Sequence, residues 1–202
     1  MLEDPSYGVH LQHNDAFFHV RMVLGVITSL AIARILNGFA KLVQTSKKEI
    51  IYSVHLLWSL LLFLLVLHFW WFEFALSSVE VWPFEAYAFL ILYAALHFFI
   101  SSLLFPDHLE DGETYESYFH SRRGWFFGLF ALLFIYDMID TAFKGWDHFR
   151  ALGNIYPVRQ VFFAALALSA IWIDNRRYHL GVVLVVIAGQ IWWISTRYSN
   201  LS

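Results

Sequence analysis

Apolar runs of membrane-spanning length recur along the chain at 17–42, 50–75, 82–105, 124–144, 156–174 and 178–197. A hydrocarbon layer about 30 Å thick needs roughly 20 residues of helix to cross it, so each run predicts a transmembrane helix. Charges and turn-forming residues punctuate the runs. Lys47, Lys48 and Glu49 separate the first two, and Ser77, Ser78 and Glu80 the next pair. Trp82-Pro83 opens the third helix, where proline is tolerated. An acidic loop over 106–121, starting at Pro106, follows it. Gly153, Asn154 and Pro157 mark the next turn, and Asp174 to Arg177 the last. The pattern predicts an all-α integral membrane protein, a single transmembrane domain over 1–202 made of about six helices in a compact bundle, with a short polar segment at 1–16.

Composition agrees. Of 202 residues, 59% are apolar and 14% charged, and phenylalanine occurs 21 times; soluble domains run near 25% charged. The formal charge of −3 offers no basic surface, so nucleic acid is not an expected partner. With no cysteine, disulfides, thiolate metal sites and cysteine nucleophiles are excluded. The acidic start (Glu3, Asp4, Asp15) has no Lys or Arg before Arg21, the reverse of a secretory signal, so the first run is expected to stay as a membrane helix.

Charge also orients the bundle. One set of loops carries Lys41, Lys47, Lys48, Arg122, Arg123, Arg176 and Arg177; the other carries Arg21, Lys144, Arg150, Arg159 and Arg197. The excess of cations on the first side predicts that side as cytoplasmic and both termini outside. Trp70, Trp71, Trp82, Trp146, Trp192 and Trp193 fall toward the termini, and Trp125 and Trp172 toward the other interface, where indole rings anchor at headgroups. A three-plus-three inverted repeat, an arrangement many transporters use, has one short match, Ile51-Tyr52-Ser53-Val54 against Ile155-Tyr156-Pro157-Val158. Gly25, Ser29, Ala33, Asn37 and Lys41 recur every four residues, a stripe expected to form a packing seam, as are Ala165 and Ser169.

Ionisable residues inside spans are costly and mark candidate sites. They are Arg34, His55, His68, His97, Asp137 and Asp140, with Asn37 and Gln190 as neutral companions. Counting ~1.5 Å per residue from each span's midpoint sorts them into two layers. Arg34, Asn37, His55 and His97 fall on the cytoplasmic side. Asp137, Asp140, His68, Arg159 and Gln190 fall on the side of the termini. Arg34 lies ~12 Å or more from either aspartate by this count and is not expected to pair with them. Arg159 and Asp174, near helix ends, are expected at headgroup level.

Asp137, Asp140, Thr141 and Lys144 lie at i, i+3, i+4 and i+7, one polar face of helix four. Carboxylates so placed suit a cation or proton site, or else a polar seam locking helices together. The histidines suit a proton relay, because imidazole titrates near neutral pH. His55 and His97, at similar depth, could instead hold a haem or frame a quinone site, although no cofactor is predicted. Asp107, His108, Glu110, Asp111, Glu113 and His120 match no fixed metal-loop pattern and read as a solvated segment. No P-loop, dinucleotide, zinc-protease or nucleophile-elbow motif occurs, so the chain is not expected to be an enzyme.

His55-Leu56-Leu57-Trp58, Phe69-Trp70-Trp71 and Arg122-Arg123-Gly124-Trp125-Phe126-Phe127 give the chain a look similar to small polytopic membrane proteins of bacteria. That resemblance implies a bacterial cytoplasmic membrane and no particular activity. The leading expectation is a channel or small transporter for protons, cations or a small solute. A haem- or quinone-binding redox subunit is the alternative, and a structural or sensory membrane partner the third. Lipid is the expected environment, with a second copy or another membrane protein as partner.

Overall fold

In the computed structural model, residues 5–44, 52–79, 82–110 and 112–197 are described, with side chains from Phe17 onward. Lys47, Lys48, Glu49 and Glu80 lie outside the described residues. The helices are α1 (Pro5–Gln44), α2 (Ser53–Phe72), α3 (Phe84–Leu104), α4 (Tyr115–Phe143), the short α5 (Trp146–Ala151), α6 (Ile155–Trp172) and α7 (Arg176–Arg197). A 3-10 segment, Glu73–Ser78, continues α2. Six helices are long and apolar enough to span a bilayer, so this is a multi-pass membrane protein.

Two boundaries move from their predicted places. Helix α1 begins at Pro5, inside the segment expected to be a polar lead-in. Helix α4 begins at Tyr115 rather than 124, taking up the end of the acidic loop. Its start is set by Thr114, whose Oγ1 accepts from the Ser117 amide at 3.2 Å while Ser117 Oγ accepts from the Thr114 amide at 3.0 Å. That reciprocal cap satisfies two otherwise orphaned donors. The break after α4 falls at Gly145, whose φ of 119° disfavours any residue with a side chain.

Around the bundle the neighbours run α1, α3, α4, α6, α7, α2 and back to α1, with α2 also touching α3 and α4. Half of the span that contains α2 is buried, against 28% for α1. Helix α1 packs most closely on α3, and α4 on α6. A three-plus-three repeat would match the first contact with α4 on α7, so the packing adds nothing to the short sequence match. The half of the core away from the termini is aromatic: Trp58 on α2 meets Phe126, Phe127 and Phe130 on α4 at centroid distances of 5.4, 5.2 and 4.9 Å.

Of the small-residue stripe of α1 only Gly25 lies in a seam, where a Cβ would come 3.1 Å from the Trp70 ring. Ser29, Ala33, Asn37 and Lys41 are exposed, while Leu24, Thr28, Ala31, Ile35, Gly38 and Leu42 face inward. The close approach comes at Gly38, where a Cβ would lie 2.3 Å from the Phe105 ring. Ala165 likewise faces outward, and Ser169 contacts the Tyr178 hydroxyl at 2.6 Å. Trp193 also departs from expectation. It is 1% exposed and packed inside the bundle, whereas Trp125, Trp146 and Trp172 remain well exposed.

Candidate functional site: a buried polar cluster around Asp137

Near the end of α4, on the side of the termini, Asp137 turns toward α3 and α6. Its Oδ1 accepts from the Tyr93 hydroxyl at 3.1 Å. Its Oδ2 accepts from the Tyr156 hydroxyl at 2.7 Å and from the Gln160 amide nitrogen. Thr141, one turn further along α4, brings Oγ1 to 2.6 Å from the Tyr156 oxygen. Donors from two neighbouring helices therefore converge on one carboxylate, each supplying part of the solvation that water would give.

Beside this cage lies a cavity of about 20 Å³, lined by Asp137, His68, His97, Arg159, Gln160 and Gln190 with Tyr93 and apolar neighbours. That is room for one water molecule. Across it, Arg159 donates to Gln190 Oε1 at 3.0 Å, and its guanidinium sits 4.4 Å from the Trp193 ring centre. Arg159 is 8% exposed, which corrects the expectation that it lies among headgroups. The indole face and the Gln190 oxygen hold the cation inside the protein.

The predicted layer on the side of the termini is thus largely one site, since Asp137, His68, Arg159 and Gln190 share the cavity. His97, assigned to the opposite layer, joins them. Residue counting from span midpoints ignores helix tilt and so cannot preserve level between helices. Asp140 leaves the group. It pairs with Lys144, whose Nζ also donates to Glu73 Oε1 at 2.9 Å, and both carboxyl side chains are 0% exposed.

On the side away from the termini, Arg34 pairs with Asp107 in the loop at 2.7 Å and donates to the Phe105 carbonyl at 3.0 Å. It makes no pair with an aspartate of α4, as its depth predicts. Asn37 shares a surface cleft with Arg34, Lys41, Asp107 and Tyr115. His55 donates from Nε2 to the Leu104 carbonyl at 2.7 Å, and His179 to the Ile173 carbonyl at 2.7 Å. Both carbonyls end a helix and lack an intrahelical donor, so these histidines are caps. Asp174, as expected, is exposed; it pairs with Arg123 and lies 2.9 Å from His120.

The described residues contain no group of three or more metal-ligating side chains. Comparison with protein-family models, with curated proteins and with solved structures finds no match. The reading of the site therefore rests on its own geometry.

Sequence reasoning missed Glu73, Tyr93, Tyr156 and Gln160. Glu73 closes an apolar run between Phe72 and Phe74, where a carboxylate reads as headgroup-level. Its distinguishing signal was the absence of a cation within reach on its own helix. The two tyrosines carry no such mark, because phenols serve equally as interfacial anchors.

Proposed function

We propose that this protein conducts protons across a membrane, as a channel or as the proton pathway of a small transporter, with Asp137 as the central acceptor. The observation that carries the reading is the Asp137 cage opening on a cavity shared with two histidines and Arg159. A water there bridges carboxylate to imidazole, and such chains move protons. The size of the cavity favours protons over a hydrated metal cation or an organic solute. Arg159 adds a fixed positive charge that repels other cations.

The cytoplasmic half holds the Trp58 and phenylalanine cluster, so conduction requires those rings to move or a second water chain to form. We place the protein in a bacterial cytoplasmic membrane with both termini outside. In that orientation the cavity lies in the outer half and protons enter from outside. Lipid, and a second copy or another membrane protein, are its partners on this reading.

A redox role has less support. The His55 ring lies between Phe105 and Tyr115, with centroids at 5.0 and 4.9 Å. His97 sits against Phe69 and Tyr93 at 4.9 and 5.3 Å. A haem spanning the two histidines would have to displace these rings.

The test is proton flux into liposomes containing the purified protein and a trapped pH indicator, driven by a potassium diffusion potential. The wild type should acidify the lumen. Asp137→Asn should fall to the rate of empty liposomes. Equal flux from wild type and Asp137→Asn, or none from the folded wild type, would sink the proposal.

A further inference from the structure

One helical turn beyond Asp137, charge balance points to another proton. Glu73 stands where α2 tightens into the 3-10 segment, and Asp140 and Lys144 lie one turn apart at the end of α4. All three side chains are at most 1% exposed. The ammonium of Lys144 has three N–H bonds. It is held by Glu73 Oε1, by Asp140 Oδ2 and by the face of Phe72, whose centre lies 3.8 Å away. Its donors are thereby used.

Two acceptors are left over. Glu73 Oε2 and Asp140 Oδ1 are buried with no hydrogen-bond partner among the described residues. Both carboxyls meet on the one Lys144 ammonium, Glu73 through Oε1 at 2.9 Å and Asp140 through Oδ2, but two carboxylates have no proton to share. Fully ionised, the triad would carry one uncompensated negative charge out of contact with water, a costly state.

Among the described residues, the surroundings supply no further counter-charge. Asp137, on the same helix, adds to the negative potential at both carboxyls. His148, on α5, is held below its ordinary pKa of 6.5 by burial and then by Lys144, so it is neutral at neutral pH. His68, on α2, faces the Asp137 cavity. On α6, Arg159 is turned to Gln190. From α1, Arg21 lies over the ring of Phe74, 4.5 Å from its centre.

We propose that Glu73 and Asp140 form a second proton-binding site, in which the two carboxyls share one proton while Lys144 grips both. The proton supplies the missing donor, makes an O–H···O contact between the acids, and brings the triad to neutrality. It ties the end of α2 to the end of α4. The site deepens the proton reading of the Asp137 cavity, yet it can be detected without any flux.

Infrared spectroscopy of the full-length protein in lipid at neutral pH tests it. A C=O stretching band of a protonated carboxylic acid should be present and should shift in heavy water. It should persist in Asp137→Asn and vanish in Glu73→Gln and in Asp140→Asn, because one remaining carboxylate then balances Lys144. If those two variants fail to fold, carboxyl-13C labelling of glutamate or aspartate in folded Asp137→Asn assigns the band instead. At least one label must shift it. Absence of the band in the wild type, or its survival in both triad variants, would overturn the site. A band without flux would leave this site standing and remove the conduction proposal; flux without a band would do the reverse.

Discussion

The two ends of the bundle use the same residue types for opposite purposes. At the end away from the termini, carboxylates stay exposed, Asp107 paired with Arg34 and Asp174 with Arg123, each aspartate more than half exposed. Histidines there close helix ends, His55 at Leu104 and His179 at Ile173. On the side of the termini, Lys144 grips Glu73 and Asp140, while neutral polar groups hold Asp137 and Arg159. The first arrangement stitches helices together at little cost. The second keeps charges where desolvation opposes them, and the fold could have been held more simply by packed hydrophobic residues. An expensive cluster beside a cavity is a reason to look for function there and not at the cheap end.

The sharpest way to break that contrast is to remove one charge from the expensive end. Lys144→Met leaves two carboxyls facing each other with no cation. Losing one partner of a buried ion pair costs about 3–5 kcal/mol, so thermal unfolding in detergent should move far below the wild type at neutral pH. The deficit should shrink as pH falls, because both acids then take up protons. A variant as stable as the wild type would mean that the triad does not hold α2 to α4.

The histidines separate the two ends next. His55→Leu strands the Leu104 carbonyl in a buried site, a loss of about 1–3 kcal/mol. Proton flux per folded molecule should not change. His68→Leu and His97→Leu, which remove ring nitrogens from the Asp137 cavity, should lower flux with the unfolding temperature less affected. Loss of flux in folded His55→Leu protein would make a helix cap part of the pathway and undo the division.

How far the sequence revealed this depended on whether a pattern was local. Asp137, Asp140, Thr141 and Lys144 belong to one helix, so their shared face was visible from spacing alone, and Lys144 does reach Asp140. Span number followed from run length in the same way. What could not be read was contact between helices. Glu73 meets Lys144 across 71 residues of chain, and nothing in the neighbourhood of either announces the other. Depth counting succeeded for His68, Asp137, Arg159 and Gln190 and failed for His97, because it assigns each helix its own ruler. The stripe from Gly25 to Lys41 misled for a related reason. Spacing identifies a face of a helix, but which face is buried depends on where bulky partners such as Phe105 stand.

The smallest effect belongs to the exposed pair at the end away from the termini. The hydrogen bond from Arg123, together with its charge, holds the Asp174 carboxyl below its ordinary value of 3.8. A folded-state value lower than the unfolded one means that the pair stabilises at pH above 3.8 and that this contribution disappears as pH falls through the folded-state value. Asp174→Asn should therefore lower the unfolding temperature slightly at neutral pH and leave the most acidic samples unchanged relative to wild type. The side chain is 57% exposed, and solvent-exposed pairs contribute about 0–1 kcal/mol. Added salt should reduce the difference further. A loss as large as that of Lys144→Met, or one that salt does not touch, would show that the end away from the termini also depends on buried charge, and the asymmetry between the two ends would no longer point to Asp137.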